Sequence, residues 1–205
     1  MDKIEVETYS IPGVDVRLYR RAGPPHPLVP TIDPDYAWRP ELVREMAFAI
    51  WPHDGGLHES MLLCGPKGSG KTSLVMQLAA HCNVPVYRLN LNAGTTVAQI
   101  KGRMRAESGR TFFSPGLATM ALESGAWLLL DEMSGATPPI AMSLFPLVES
   151  DGSFALEEDG RYAIRHPSFR IFGTDNVIGA AQEADRFLYA GTSPQVNQAL
   201  LDRFG

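Results

Sequence analysis

"LLCGPKGSGKTSLVMQLA", Leu62 to Ala79, decides how the rest of the chain is read. An apolar strand-like run, "SMLLC", leads into a glycine-rich segment, and that segment opens a helical pattern from Lys71 to His81. Within it "GPKGSGKT", Gly65 to Thr72, fits G-x-x-x-x-G-K-[ST] in full, after a strand and before a helix as such a loop requires. Glycines let backbone N–H groups close around an anion, and the helix that follows directs its positive end at the same place. Gly65, Pro66, Lys67, Gly68, Ser69, Gly70, Lys71, Thr72 and Ser73 are therefore the candidate nucleotide-binding residues. Lys71 is expected to reach the β/γ-phosphates and the Thr72 hydroxyl to ligate magnesium, while Lys67 occupies a free position of the loop and is expected in solvent. Gly65, Gly68 and Gly70 do not make the G-x-G-x-x-G spacing, which removes the main support for a nicotinamide or flavin site.

Outward from this loop the pattern alternates. "VPVYRLNL", "AWLLLDE" and "FRIFGTDN" read as further strands, with helices expected over Lys71–His81 and Thr95–Met104. Apolar strands separated by helices imply a parallel sheet covered on both faces, an α/β fold. "AESGRTFFSPG" and "DGSFALEEDGRYAIRHPS" place glycine turns beside β-favouring residues and are expected to be inserted hairpins. "WLLLDE", Trp127 to Glu132, delivers two carboxylates at the C-terminal end of a buried strand. Asp131 is expected to hold magnesium through water and Glu132 to orient or deprotonate the attacking water. Asn176, closing "FRIFGTDN", is a candidate for the γ-phosphate or the lytic water if its strand lies beside the other two.

Upstream, residues 1–34 are read as an extended arm over the core, because "RRAGPPHPLVP" cannot continue a helix. Residues 35–205 are read as the main domain. Leu42, Val43, Met46, Ala47 and Ile50 have helical spacing within Asp35–Trp51, with Pro52 and Gly55–Gly56 as the stop. Near the other end Ser193 caps a predicted helix and Pro194 fits its first position.

The totals narrow the classes. With 205 residues, 44% hydrophobic and 20% charged, the chain can bury one sizeable core. A net charge of -5 without a dense Lys/Arg run argues against general duplex nucleic-acid binding. "MDKIEVETYS" lacks the features of a signal peptide and no apolar run reaches membrane-spanning length, so a cytoplasmic location without a membrane is expected. Cys64 and Cys82 are expected to be small core residues, and no histidine pair has metal-ligand spacing.

"GPKGSGKT", "LLLDE", "FGTDN" and "LLDRFG", in that order, resemble Walker A, Walker B, sensor 1 and the arginine-finger box of AAA+ ATPases. The two hairpins resemble those of the MoxR and chelatase branch. "VPTIDPDYAW", "LLLDEMSGATPPIAMSLFPLVESDGSFAL" and "QVNQALLDRF" carry a further similarity to the CobS group of cobaltochelatase subunits. The resemblance implies a P-loop AAA+ large subdomain, with the helical lid absent from a chain that stops at Gly205. It also implies ATP and Mg2+ as cofactors and a hexameric ring acting on a protein client such as a chelatase subunit. Lys71, Thr72, Asp131, Glu132 and Asn176 would come from one subunit and Arg203 from its neighbour. Base contacts would come from the arm around Ile32 to Tyr36 and from the lid. A MoxR-type chaperone that touches no tetrapyrrole, and a nucleotide-binding module without turnover, remain alternatives at this point. Phe112 and Phe113 are candidates for a client-facing pair or for hairpin packing, and Arg103, Arg105 and Arg110 give that hairpin a basic cast.

Overall fold

A computed structural model describes residues 5–11, 13–50, 60–149, 153–176, Leu200, Arg203 and Phe204. The predicted stop at Pro52–Gly56 and the predicted helix capped by Ser193 lie outside the described residues. The arm begins with two strands, β1 (Val6–Ser10) and β2 (Arg17–Arg21), paired antiparallel. Helix α1 (Pro40–Ile50) follows, then β3 (Met61–Cys64), α2 (Lys71–His81) and β4 (Val86–Asn90). A four-residue helix α3 (Val97–Ile100) leads into a hairpin of β5 (Gly102–Glu107) and β6 (Arg110–Pro115). After α4 (Leu117–Ser124) come β7 (Trp127–Asp131), a single 3-10 turn at Met133–Gly135, and α5 (Pro138–Val148). A second hairpin, β8 (Phe154–Leu156) with β9 (Arg161–Ala163), precedes β10 (Arg170–Asp175).

β3, β10, β7 and β4 form one parallel sheet in that order. The last strand in sequence is thus inserted between the strands that carry the glycine loop and the two carboxylates. In register, Asp175 lies opposite Cys64 and Asn90 opposite Asp131, so the C-terminal ends of all four strands share one edge. That edge is where α/β sheets place ligands.

Every residue of β7 is buried. Their alternation divides the core in two. Trp127 and Leu129, with Phe172, pack towards α1, α2 and the arm residues Ile11, Val14 and Leu18. Leu128 and Leu130, with Ile171, pack towards α4, α5 and the β8–β9 hairpin. The Trp127 and Phe172 rings meet at 4.9 Å.

The predicted parallel sheet and both predicted hairpins are present. Two local expectations are corrected. The helix predicted over Thr95–Met104 is confined to Val97–Ile100, where Thr96 and Gln99 form a capping box. Gly102 then adopts φ 124, and a Cβ there would stand 2.6 Å from the Ser114 carbonyl oxygen, so the chain turns into β5 rather than continuing the helix. Cys64 is exposed at the end of β3 instead of buried in the core, whereas Cys82 is buried and desolvation pushes its thiol pKa to about 12. The helices α4 and α5 escaped the sequence reading because α4 is only eight residues and prolines interrupt α5. Pro138 and Pro139 suit the first helical turn, where the missing N–H costs nothing.

Candidate active site

Between β3 and α2 the loop 65–70 gains its shape from glycines in left-handed conformations: φ is 80 at Gly68 and 87 at Gly70. A Cβ at either position would meet nothing within 4 Å, so the backbone angle and not space is what demands glycine there. Gly70 caps α2 with no side-chain hydrogen bond, leaving the first N–H groups of an eleven-residue helix for an anion. The Lys71 ammonium donates to the carbonyls of Gly65 (2.8 Å) and Pro66 (3.0 Å) and to Asn176 Oδ1 (3.0 Å). One cation therefore ties the loop to the end of β10.

Asp131 is 3% exposed and its charge is balanced by convergent donors. Thr72 Oγ1 and Thr174 Oγ1 each donate to Asp131 Oδ1 at 2.8 Å, and Arg88 Nε donates to Oδ2. Thr72 and Asp131 thus present hard oxygen atoms side by side at the loop, the donor type magnesium takes. Among the described residues no group of three or more His, Cys, Asp or Glu converges on a metal position, so a metal held here would be completed by phosphate and water. Glu132 is exposed and left-handed, φ 58, immediately beyond β7. Lys71, Thr72, Asp131, Glu132 and Asn176 line one cleft with Gly68 and Gly70. The exposed Lys67 lines it as well.

Arg203 stands apart from this cleft's lining. Its guanidinium lies 3.6 Å from Glu149 and 4.5 Å over the Phe145 ring, beside α5, with its side chain 42% exposed. A second cleft flanks the other side of the loop, lined by Tyr36, Arg39, Leu42, Met61 and Leu63 with Gly70 and Leu74. The arm is pinned beside it, since Gln77 of α2 accepts from Asp33 N (2.9 Å) and donates to the Thr31 carbonyl (3.1 Å).

A profile of the AAA domain, dynein-related subfamily, matches residues 60–204. The chain belongs to this AAA family of ATPases. Among relatives of this AAA chain is the aerobic cobaltochelatase subunit CobS of Sinorhizobium sp, 29% identical over the whole of the present chain and 64% of CobS. Protein NorQ of Paracoccus denitrificans is 29% identical over 57% of the chain and 43% of NorQ. Midasin of Dictyostelium discoideum is 30% identical over 58% of the chain and 2% of midasin. The chain thus spans less than two thirds of the length of each of these proteins. The solved structure of a candidate ATPase from Cytophaga hutchinsonii shares the fold at TM-score 0.51 and 20% identity, covering 71% of this chain and 39% of that one.

The AAA site also contains residues that the sequence reading did not single out. Arg88 and Asn90 both face the cleft from β4, and Thr174 lines it two residues before Asn176. Position offered a signal for them: polar side chains two residues apart at the C-terminal end of a parallel strand fall on one face of the ligand edge. The hairpin pair divides. Phe113 packs against the core while Phe112 is 42% exposed, as neighbours on a strand must point to opposite faces.

Proposed function

We propose that this chain hydrolyses ATP with magnesium in the cytoplasm, as a ring of identical subunits whose movement remodels a protein partner in a CobS-like metal-inserting chelatase. The observation that carries this reading is the convergence of Lys71, Thr72, Asp131, Glu132 and Asn176 on one cleft at the carboxyl edge of the sheet. The 29% identity to CobS over the whole chain supports the choice of partner. Residues 35–205 form the ATPase unit and residues 1–34 its arm.

In this reading the glycine loop and the start of α2 bind the phosphates, and Lys71 leaves its carbonyl partners for the β/γ-phosphates. Thr72 and Asp131 hold magnesium, which when bound neutralises charge developing on the phosphates. Glu132 orients the attacking water and takes its proton, and Asn176 fixes that water or the γ-phosphate through its amide. Tyr36 and the apolar residues of the second cleft receive the base. Arg203 acts on the site of a neighbouring subunit. Its contact with Glu149 is a half-exposed ion pair of the kind worth little, so it is readily exchanged for a phosphate.

The test is ATPase rate against protein concentration for the wild type, Glu132→Gln, Arg203→Ala and an equimolar mixture of the two variants. A steep rise with concentration is expected, with a loss of about 1000-fold or more in Arg203→Ala and partial recovery in the mixture. A concentration-independent rate that survives Arg203→Ala would sink the ring mechanism. NorQ is also 29% identical, over 57% of the chain, which favours as second reading a MoxR-type assembly factor that touches no tetrapyrrole. Co-purification with a large chelatase subunit and ATP-dependent cobalt insertion separate the first from the second.

A further inference from the structure

We infer that Asp175 is a positioning residue that holds Glu132 and Asn176 in one fixed relation, so that the water-activating carboxylate and the sensing amide are set by a single buried charge. This inference rests on the hydrolytic reading above and deepens it.

The parallel ladder between β7 and β10 ends at Gly173 opposite Leu130. Beyond that point side chains join the two strand ends. Thr174 Oγ1 donates to Asp131 Oδ1 at 2.8 Å. The Asp175 carboxylate, 1% exposed, accepts from Ser134 N at 2.7 Å through Oδ2, and from Ser134 Oγ at 3.0 Å through Oδ1. The same Oδ1 accepts from Asn176 N at 2.6 Å. Bonds to a carboxylate are roughly twice as strong as neutral ones.

Glu132 sits between two anchored residues, Asp131 directly before it and Ser134 two positions after it. Asp131 is held by Thr72, Thr174 and Arg88, and Ser134 is held through both backbone and hydroxyl by Asp175. A non-glycine residue at φ 58 is costly and persists only where its surroundings over-determine it. Asp175 supplies that constraint on the far side of Glu132. Asn176 is fixed the same way, its backbone N–H on Asp175 and its side-chain oxygen on the Lys71 ammonium. Movement of the Lys71 head towards phosphate therefore reaches Asn176 directly, and the Asp175 carboxylate links that residue to the turn carrying Glu132.

Asp175→Asn is the decisive variant. It keeps the shape but replaces one acceptor by an NH2 group that faces a backbone donor, either Ser134 N or Asn176 N. The full chain would be used, at a protein concentration where the wild-type rate is maximal. Amide exchange at Ser134 and Asn176 is expected to quicken by about 10-fold or more. Loosening of Glu132 and Asn176 by this change is expected to lower kcat by about 100-fold. Affinity for a fluorescent ATP analogue should stay within about 3-fold, because the side-chain bonds altered, to Ser134 and Asn176, lie outside the phosphate loop. Unchanged exchange, or quickened exchange with kcat intact, overturns the inference, as does an equal loss of nucleotide affinity and turnover.

Ser134→Ala serves if Asp175→Asn does not fold, since it leaves the buried charge in place and removes one donor to it. A fall in kcat of about 3- to 10-fold at unchanged affinity is expected. Unchanged kcat counts against the inference. In the double variant Asp175→Asn with Ser134→Ala, the loss should match that of Asp175→Asn alone, because the two groups act as one unit. A wild type that never turns over ATP would remove the hydrolytic reading and this inference together. A wild type that does, stopped by Glu132→Gln but not by Asp175→Asn, would remove this inference alone.

Discussion

Asp131 and Glu132 are adjacent in sequence and opposite in physical character. Asp131 is buried and serves as acceptor for Thr72 and Thr174 and as counter-charge for the half-exposed Arg88, so its loss strands the buried Thr174 hydroxyl and takes a partner from the other two. Glu132 is exposed and supplies a carboxylate at the cleft. The two carboxylates are therefore expected to separate in a stability measurement. Asp131→Ala should lower unfolding free energy by about 1–3 kcal/mol as well as abolish turnover. Glu132→Gln should change stability by no more than about 0.5 kcal/mol while abolishing turnover. Urea titration of the two variants beside their ATPase rates checks this, and equal destabilisation by both would contradict the burial argument.

At the level of elements, the inserted hairpins are tied to each other. Lys101, at the base of β5, donates to the Ala155 carbonyl and to Glu157, and Met104 N donates to Glu158 Oε2 at 2.5 Å. Two glycines of the β5–β6 hairpin, one at its tip and one where it re-enters the core, differ in what they require. Gly109 at the tip has φ 75 and open space around it, so only the backbone angle matters. Gly116, which caps α4, has an ordinary φ of -82, but a Cβ there would stand 2.4 Å from the Ile100 carbonyl oxygen. Backbone atoms cannot yield as a side-chain end would. Gly116→Ala is expected to cost about 1–3 kcal/mol or more through overpacking between α3 and α4. Gly109→Asn, which tolerates the left-handed region, should cost less. Thermal unfolding of the two variants compares them directly, and a neutral Gly116→Ala would refute the packing account.

Across the whole molecule, β7 is the shared wall of two cores. Leu129 belongs to the face of α1, α2 and the arm, and Leu128 to the face of α4 and α5. Both are fully buried. Truncation on either face should therefore weaken the entire fold and not one side of it: Leu128→Ala and Leu129→Ala are each expected to cost about 2–5 kcal/mol. Far-UV circular dichroism and tryptophan fluorescence should report one coincident transition in each variant. Two separated transitions would show that the faces fold independently. The arm shares in this cooperativity, since Leu18 of β2 is buried in the core that also contains Leu129.

Local pattern alone determined the phosphate loop, because its glycines and Lys71 act through backbone angle and neighbour order, which a linear sequence records. It also determined the buried strand of "WLLLDE", since continuous apolar residues ending in carboxylates have one comfortable place in a parallel sheet. The hairpins were legible from glycine turns, but the end of α3 was not, because Gly102 is dictated by the approach of Ser114, which is distant in sequence. Tertiary structure decided the remainder. Inserting β10 between β3 and β7 brings Asn176 to Lys71 across 105 positions of chain and Thr174 to Asp131 across 43. Asp175 could not be separated by sequence from its neighbour Asn176. Its partner Ser134 lies 41 positions earlier, and what distinguishes a buried positioning charge from a strand-end carboxylate is which strand folds beside it.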